Sequence, residues 1–227
     1  MESEVKTIEL HGSKIWIIDD VLEEPDLLAR FLFSRKTAPL QGSPWESNEK
    51  LYFKGRYFDF ADKAAPIVWL AQNLCKQTID FYGGFKTNVE GWLDCEDNDY
   101  RNYYWFPHID NGYNCILYLN DNGDTENGTN LYHPKHKQEQ WFKDIMDNPR
   151  GSDPWISKER LELVHHLEPK YNRLVLFDGN KFPHGSAVNN KQYFYTDHVK
   201  KINPRSHRSN LNFFYHPYGK QEKTDSN

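Results

Sequence analysis

Two side chains whose types and spacing could do chemistry, His108 and Asp110, are separated by one residue in the stretch Trp105–Asp121. An imidazole and a carboxylate are both common ligands of divalent metal ions. Side chains two positions apart on an extended segment point to the same side, so both could face one ion. Two ligands hold an ion weakly, however. The pair predicts a metal site if a third ligand comes from elsewhere in the chain, and an ordinary polar loop if none does.

His184 is the third ligand that the sequence favours among its ten histidines. The apolar stretch Leu174–Phe177 leads into a turn, and His184 then opens the next predicted strand, whereas His133 is expected in a loop. This layout delivers an imidazole to the end of a β-barrel, beside the first pair. Two histidines and one carboxylate that leave one face of the ion open are the ligand set of non-haem Fe(II) oxygenases. A lone histidine is more often a solvated residue, so the interpretation depends on all three.

The elements that must position these residues begin with a strand over Lys14–Asp20, rich in β-branched residues. A helix is predicted to start at Pro25, because proline suits the first helical position and acidic residues surround it. The clearest helix covers Asp62–Gly84, where apolar residues recur at helical spacing and two glycines supply a stop. A further helix is expected near His136–Asn148.

From about Lys86 onward, short apolar strands alternate with turn-rich pieces such as Asn120–Gly128 and Asp178–Gly185. A helical front followed by many short strands predicts an α+β fold that is mainly β. We expect a sandwich or barrel with the N-terminal helices packed on one side.

The composition favours a folded chain of one domain. Hydrophobic residues make up 37% of the 227 residues, but 15% are aromatic, and large rings supply much buried area. No linker marks a boundary, so residues 1–227 are expected to form one domain. Within it, residues 1–85 support a β core over residues 86–217, and residues 218–227 form a flexible tail.

Charge and sequence patterns exclude several classes of protein. A net charge of −5 does not suggest a protein that coats nucleic acid. No apolar run reaches the roughly 20 residues of a membrane helix. The 3 cysteines have no paired spacing and no signal-peptide pattern opens the chain, so we expect a reducing, cytoplasmic setting.

Several segments in one order resemble the Fe(II)/2-oxoglutarate-dependent dioxygenases, and among them the prolyl-hydroxylase-like branch. They are PHID followed by CILYLND, NGTNLYHP, RLVLFDGNKFPHGSAV and HRSNLNFFYHP, between about Tyr100 and Pro217. The triplet H-x-D alone is a weak signal, whereas its order with a distal histidine and a terminal arginine strand is specific. The resemblance implies a double-stranded β-helix, which is a jelly-roll or cupin-like barrel.

The resemblance also implies roles for five residues. His108, Asp110 and His184 would bind Fe(II) and carry the catalysis, with 2-oxoglutarate and O2 as co-substrates. Arg208 matches the arginine that binds the far carboxylate of 2-oxoglutarate, and a guanidinium suits this task because it forms two parallel hydrogen bonds to a carboxylate. Tyr118 matches a tyrosine whose hydroxyl reaches the same carboxylate, although a core aromatic is the alternative.

The long segment 185–207 before Arg208 departs from the family's usual spacing. An inserted loop or hairpin would explain it, and the departure leaves Arg205 and Lys191 as alternatives to Arg208. We favour Arg208 because it opens an alternating strand, in which Asn210 lies on the same face.

Three further residues have local interpretations. Tyr104 could line the pocket. Gly128 is expected to relieve backbone strain in a turn before a barrel strand. Asp178 either supports His184 by a hydrogen bond or caps its own turn.

By resemblance, the reaction converts 2-oxoglutarate and O2 into succinate and CO2 while a substrate is hydroxylated. Related halogenases lack the carboxylate at the position of Asp110, so its presence favours hydroxylation. The expected substrate is a peptidyl residue, for example proline in a peptide or protein, or a small amino-acid-like molecule. One alternative is a cupin-like module that binds a ligand or partner without catalysis. Nucleic-acid demethylation is less favoured, because Phe214 stands where that branch carries a second arginine.

Overall fold

The structure is a computed structural model, and in the parts of the chain it describes there are two helices and fourteen strands. The described residues are 4–33, 38–39, 49–52, 61–76, 78–79, 84–87, 102–105, 107–121, 123–135, 155–189 and 208–216. The predicted helix near His136–Asn148, the alternatives Lys191 and Arg205, and the predicted tail lie outside these ranges.

The chain opens with a hairpin and a helix. Strand β1 (Val5–Leu10) pairs antiparallel with β2 (Ser13–Ile18), which confirms the predicted strand there. Helix α1 (Pro25–Phe33) begins at the predicted proline and has Asp26 in its first turn, where a negative charge faces the positive end of the helix dipole.

Helix α2 (Ala61–Cys75) ends nine residues before its predicted stop at Gly84. Lys76 takes a left-handed backbone conformation, with φ of 57°, and this turns the chain out of the helix. The β-branched pair that follows forms β5 (Thr78–Ile79), whose pairing with another strand outweighs helix propagation. Neither helix of the described chain is long and apolar enough to cross a membrane.

The remaining strands are short and follow in chain order. They are β3 (Ala38–Pro39), β4 (Glu49–Tyr52), β6 (Gly84–Thr87), β7 (Tyr103–Trp105), β8 (Tyr113–Tyr118), β9 (Thr129–Pro134), β10 (Trp155–Ser157), β11 (Leu161–Leu167), β12 (Leu174–Asp178), β13 (His184–Ser186) and β14 (Ser209–His216). His133 therefore lies in a strand and not in the predicted loop, because the turn before β9 ends at Gly128.

The strands form one large sheet and two small ones. The large sheet has the order β1-β2-β12-β8-β14-β6-β4-β3, with β5 also paired to β14. A three-stranded sheet has the order β11-β9-β13, and β10 pairs with β7. The N-terminal hairpin thus belongs to the same sheet as the predicted β core, and the expected division at residue 85 falls inside β6.

Two hydrophobic cores lie on opposite faces of the large sheet. On β12, Leu174 and Leu176 pack with α1 and α2, whereas Val175 and Phe177 pack with residues of the three-stranded sheet. The strands at the centre are therefore buried on both faces, which explains the continuous apolar stretch in β12. The mainly β fold with helices on one side is confirmed. The helices, the large sheet and the three-stranded sheet form three successive layers.

Gly128 sits where two backbones approach each other closely. A Cβ atom on this residue would lie 1.8 Å from the carbonyl oxygen of Leu167 on β11. Its φ is not in the left-handed region, so the expected relief of backbone strain is wrong as the reason for this glycine. Glycine is needed because only a hydrogen fits between the start of β9 and the end of β11.

Replacing Gly128 with Ala should lower the free energy of unfolding by about 2–3 kcal/mol, because backbone atoms must move apart to admit the methyl group. Chemical denaturation measures this. Gly123→Asn is the matched control, since Gly123 has φ of 72°, which asparagine tolerates, and open space around it. A Gly128→Ala protein as stable as the wild type would contradict the close approach.

Asp19 ties the end of β2 to the turn before β12. Its carboxylate accepts hydrogen bonds from Arg173 Nε at 2.6 Å and Nη2 at 3.0 Å, and from Lys170 Nζ at 2.9 Å. The hydrogen bond from Arg173 outweighs partial burial and, with Lys170, lowers the pKa of Asp19 to about 2.

The Asp19 contribution to stability should be complete above pH 4 and disappear as the pH falls towards 2, because the folded-state pKa lies below the ordinary value. The loss of unfolding free energy between pH 5 and pH 3 should therefore be smaller in Asp19→Asn than in the wild type. Denaturant titrations at both pH values measure it. Glu9→Gln, which removes an exposed ion pair with Lys14, should behave like the wild type. Identical profiles for Asp19→Asn and the wild type would contradict the assignment.

Candidate metal centre

His108 and His184 are held together by their backbones. The amide of His108 donates to the carbonyl of His184 at 2.9 Å, and the amide of His184 donates to the carbonyl of His108 at 2.8 Å. Strand β13 begins at His184 and pairs with β9, where Leu131 lies opposite it. A strand pairing thus brings two residues together that are far apart in the chain.

Asp110 lies beside both histidines. Its amide donates to the carbonyl of Gly179 at 3.1 Å, which anchors the loop before β8 to the turn after β12. Asp110 Oδ2 lies 3.2 Å from His184 Nε2 and 3.8 Å from His108 Nε2. The three side chains each offer one ligand atom, and these atoms lie within 4.8 Å of one another. The structure therefore brings together the three residues that the sequence singled out.

The tautomer of His184 follows from its hydrogen bonds. Its Nδ1 lies 2.9 Å from the carbonyl oxygen of Phe182, which can only accept, so Nδ1 carries the proton. Its Nε2 then carries a lone pair, which lies 2.6 Å from Asn114 Nδ2 and on the side of the other ligand atoms. An outer hydrogen bond of this kind is what orients a metal-binding histidine.

Asp110 is ionised in this environment. Burial opposes its ionisation, but the neighbouring His108 and His184 rings and the amide of Asn114 outweigh burial. They hold the pKa of Asp110 well below its usual range. The carboxylate is thus in the form that a metal ion requires.

Sequence reasoning missed Asn114, which lies on β8 and is buried. Its Nδ2 is 2.7 Å from Asp110 Oδ2 and 2.6 Å from His184 Nε2. Its presence in an otherwise apolar strand, two positions from Ile116 on the same face, was the available signal. A polar residue on a buried face usually has a partner to satisfy.

A recess of about 50 Å³ adjoins the three side chains. Since a water molecule needs roughly 10–15 Å³ of such space, the recess has room for an ion and several waters. His108 and Asp110 form its exposed side, each with 28% of the side chain accessible, whereas His184 is 5% accessible. The recess is also lined by Thr129, Arg208, Asn210 and Asn212.

Arg208 is a buried cation that lines this recess. Its Nε donates to the carbonyl of Asn127 at 2.8 Å, Nη2 donates to the carbonyl of Gly128 at 3.1 Å, and Nη1 donates to Asn210 Oδ1 at 2.7 Å. Burial lowers the pKa of Arg208 from its ordinary value. Within the described part of the chain no carboxylate lies within ion-pair distance of this guanidinium. Its direct partners are neutral oxygens, and the nearby Asp124 carboxylate acts on it only at longer, Coulombic range. A buried cation in that situation is a suitable site for an anion.

Tyr118 lies next to Arg208 but reaches the recess indirectly. Its hydroxyl donates to Thr129 Oγ1 at 2.8 Å and is also 3.4 Å from the carbonyl oxygen of Leu167. The same Thr129 oxygen lies 3.4 Å from Arg208 Nη2. The ring itself packs in the core between the sheets. Tyr118 is therefore a core residue that also lies beside the recess.

Two other predicted residues have structural roles in the described chain. Tyr104 is not among the residues that line the recess, and its ring packs against Tyr132 with centroids 4.5 Å apart. Asp178 accepts a hydrogen bond from the amide of Asn180 at 3.0 Å, so it caps its own turn. The capping alternative is confirmed for Asp178, and the pocket prediction for Tyr104 is wrong because the ring turns towards β9.

The fold of this chain is similar to that of solved structures. The epimerase SnoN, crystallised with Fe3+, alpha ketoglutarate (2-oxoglutarate) and nogalamycin RO, is 13% identical with a TM-score of 0.50; the match covers 89% of this chain and 78% of SnoN. HygX from Streptomyces hygroscopicus, with nickel, 2-oxoglutarate and hygromycin B bound, is 11% identical with a TM-score of 0.48, over 90% of this chain and 83% of HygX. No protein-family model matches the chain. A search of curated proteins finds no match either. The likeness to SnoN concerns the fold.

The assigned tautomer of His184 predicts an observable signal. In metal-free protein, a long-range ¹H–¹⁵N spectrum should show His184 protonated on Nδ1 and unprotonated on Nε2, because Phe182 offers a carbonyl acceptor to Nδ1. The spectrum of His184→Ala identifies the signal by its loss. A proton on Nε2 of a neutral His184 would contradict the geometry.

Proposed function

We propose that the protein is an Fe(II)- and 2-oxoglutarate-dependent dioxygenase. The observation that carries the proposal is a pair of complementary sites in one recess. Three metal-competent side chains line it, and so does a buried arginine whose direct hydrogen-bond partners in the described chain are neutral oxygens. One co-substrate with an oxo acid at one end and a carboxylate at the other matches both.

His108, Asp110 and His184 would hold the ion. The donor set fits Fe(II), since His184 turns an unprotonated Nε2 towards the other ligands and Asp110 is ionised. The bound iron would supply the activation of O2 that couples the breakdown of 2-oxoglutarate to substrate oxidation. The protein residues would bind and orient this group, and the burial of His184 would keep water away from that side of the site.

Arg208 would bind the far carboxylate of 2-oxoglutarate. Its Nε and Nη2 groups are fixed by the carbonyls of Asn127 and Gly128, which orients the remaining edge of the guanidinium. Tyr118 would support this binding through Thr129, whose oxygen lies between the two side chains. The close packing of Gly128 keeps these carbonyls in place.

The layered sheets support a double-stranded β-helix as the finer description of the fold, because β8 and β12 lie in the large sheet while β9, β11 and β13 lie in the three-stranded sheet that packs against it. The proposed reaction is hydroxylation of a peptidyl residue such as proline or of a small amino-acid-like molecule, with release of succinate and CO2. SnoN, which has a similar fold, was crystallised with the small molecule nogalamycin RO, and the proposal therefore extends to small-molecule substrates.

Replacing His108 or Asp110 with Ala should reduce Fe(II)-dependent succinate formation at least a hundredfold, because two ligands hold the ion too weakly. Succinate released from 2-oxoglutarate without substrate measures the activity, and thermal melting checks the fold. His133→Ala is the matched control, since this exposed histidine contacts the ring of His11 and not the recess. Activity that survives in His108→Ala would show that the metal site is elsewhere. No succinate from the wild type, supplied with Fe(II), would favour the non-catalytic binding module.

Replacing Arg208 with Lys should raise the apparent KM for 2-oxoglutarate at least tenfold, because an ammonium cannot make two parallel hydrogen bonds to a carboxylate. Steady-state kinetics at varied 2-oxoglutarate concentration measure it. Lys191→Ala and Arg205→Ala are the comparison variants and should change KM much less. Equal effects in all three would remove the reason for choosing Arg208.

A further inference from the structure

We propose that Asn114 holds the place of the metal ion in the metal-free protein, so that an incoming ion must displace its amide from His184. The inference rests on the proposed metal centre and goes beyond it, because Asn114 is not one of the three ligands. Asn114 would therefore be a positioning residue that sets how tightly the centre binds its ion.

The amide of Asn114 bridges two of the ligand atoms. One hydrogen of its NH2 group is directed at Asp110 Oδ2, 2.7 Å away, and the other at His184 Nε2, 2.6 Å away. These two atoms are 3.2 Å apart. With the proton of His184 on Nδ1, as its contact with the Phe182 carbonyl indicates, both direct lone pairs at the NH2 group. Two such lone pairs repel each other unless a positive group lies beside them. The NH2 group supplies that partial positive charge before any ion arrives.

His184 cannot serve Asn114 and an ion together. Its Nδ1 proton is donated to the carbonyl of Phe182, which leaves a single lone pair on Nε2. That lone pair points either at the Asn114 amide or at a metal ion. A carboxylate oxygen has two lone pairs, so Asp110 Oδ2 can keep its bond to Asn114 while it binds an ion. The competition is therefore confined to His184.

The position of Asn114 is closely fitted. The residue is 4% exposed on β8, and its amide packs against Gly179, where a Cβ atom would lie 3.1 Å from three atoms of the amide group. Its Oδ1 is buried without a hydrogen-bond partner in the described structure. Leaving a buried acceptor unpaired is costly, and an aliphatic residue would avoid that cost. The amide is stabilised at this site by the hydrogen bonds that its NH2 group donates.

Asn114→Leu tests the proposal, because leucine has a similar size and cannot donate. Calorimetric titration of metal-free protein with Mn²⁺, an air-stable stand-in for Fe(II), measures the affinity. Removal of a competing hydrogen bond should strengthen Mn²⁺ binding roughly three- to tenfold in Asn114→Leu. The melting temperature of the metal-free variant should fall, and its increase on Mn²⁺ saturation should exceed that of the wild type.

Asn212→Leu is the matched control. Asn212 lines the same recess from β14 and is bonded to Asn210, without a contact to a ligand atom in the described structure. The same substitution there should leave the Mn²⁺ affinity within about twofold of the wild type. A gain of similar size in both variants would overturn the proposal, because it would then reflect polarity of the recess and not competition at His184.

An affinity for Mn²⁺ in Asn114→Leu that is equal to or weaker than that of the wild type would also overturn it. If Asn114→Leu does not fold, the wild type itself is tested with Zn²⁺ by NMR, where the side-chain NH2 signals of Asn114 should shift on binding. Signals that do not move would contradict displacement. A wild-type protein that binds neither ion would refute the proposed metal centre itself, and this inference with it. A wild-type protein that binds Mn²⁺ with an affinity that residue 114 does not change would refute this inference alone.

Discussion

The candidate site depends on one backbone pairing, the reciprocal hydrogen bonds between His108 and His184. These bonds join the loop before β8 to the first residue of β13, and a third bond, from the amide of Asp110 to Gly179, fixes the same loop to the turn after β12. Side-chain positions follow from this frame, since alternation along extended backbone places His108 and Asp110 on one side. The proposed chemistry thus rests on strand pairing more than on any single side chain.

The large sheet separates apolar packing from polar chemistry. Its central strands bury one face against helices α1 and α2, and this supplies the hydrophobic stabilisation that a chain with 37% hydrophobic residues needs. The other face carries both core residues and a polar group of side chains around the recess. Burying Arg208 there is possible because the carbonyls of Asn127 and Gly128 accept its hydrogen bonds. The turn before β9 therefore serves the site by its backbone, and the tight contact of Gly128 with β11 holds that backbone still.

Local sequence patterns predicted most of the elements and failed where tertiary pairing competes with local preference. The start of α1 at Pro25 could be predicted, because the preference of proline for the first helical position is a local property of the chain. The end of α2 was not, because the chain leaves the helix at Lys76 so that β5 can pair with β14. Strand β1 was also missed, since its side chains are mostly exposed and it is stabilised chiefly by pairing with β2. Asn114 was missed for a similar reason, as its partners come from two other segments.

The sequence by itself determined which residues could form a metal site, because residue type and alternation are local properties of the chain. It also determined the apolar character of β12 and the alternation that places Arg208 and Asn210 on one face. Only the tertiary structure decided that the ligand atoms converge, which nitrogen of His184 faces the other ligands, and which oxygens accept the hydrogen bonds of Arg208. The reason is physical: these outcomes depend on hydrogen bonds between segments distant in sequence, and their geometry exists only once the sheets have packed.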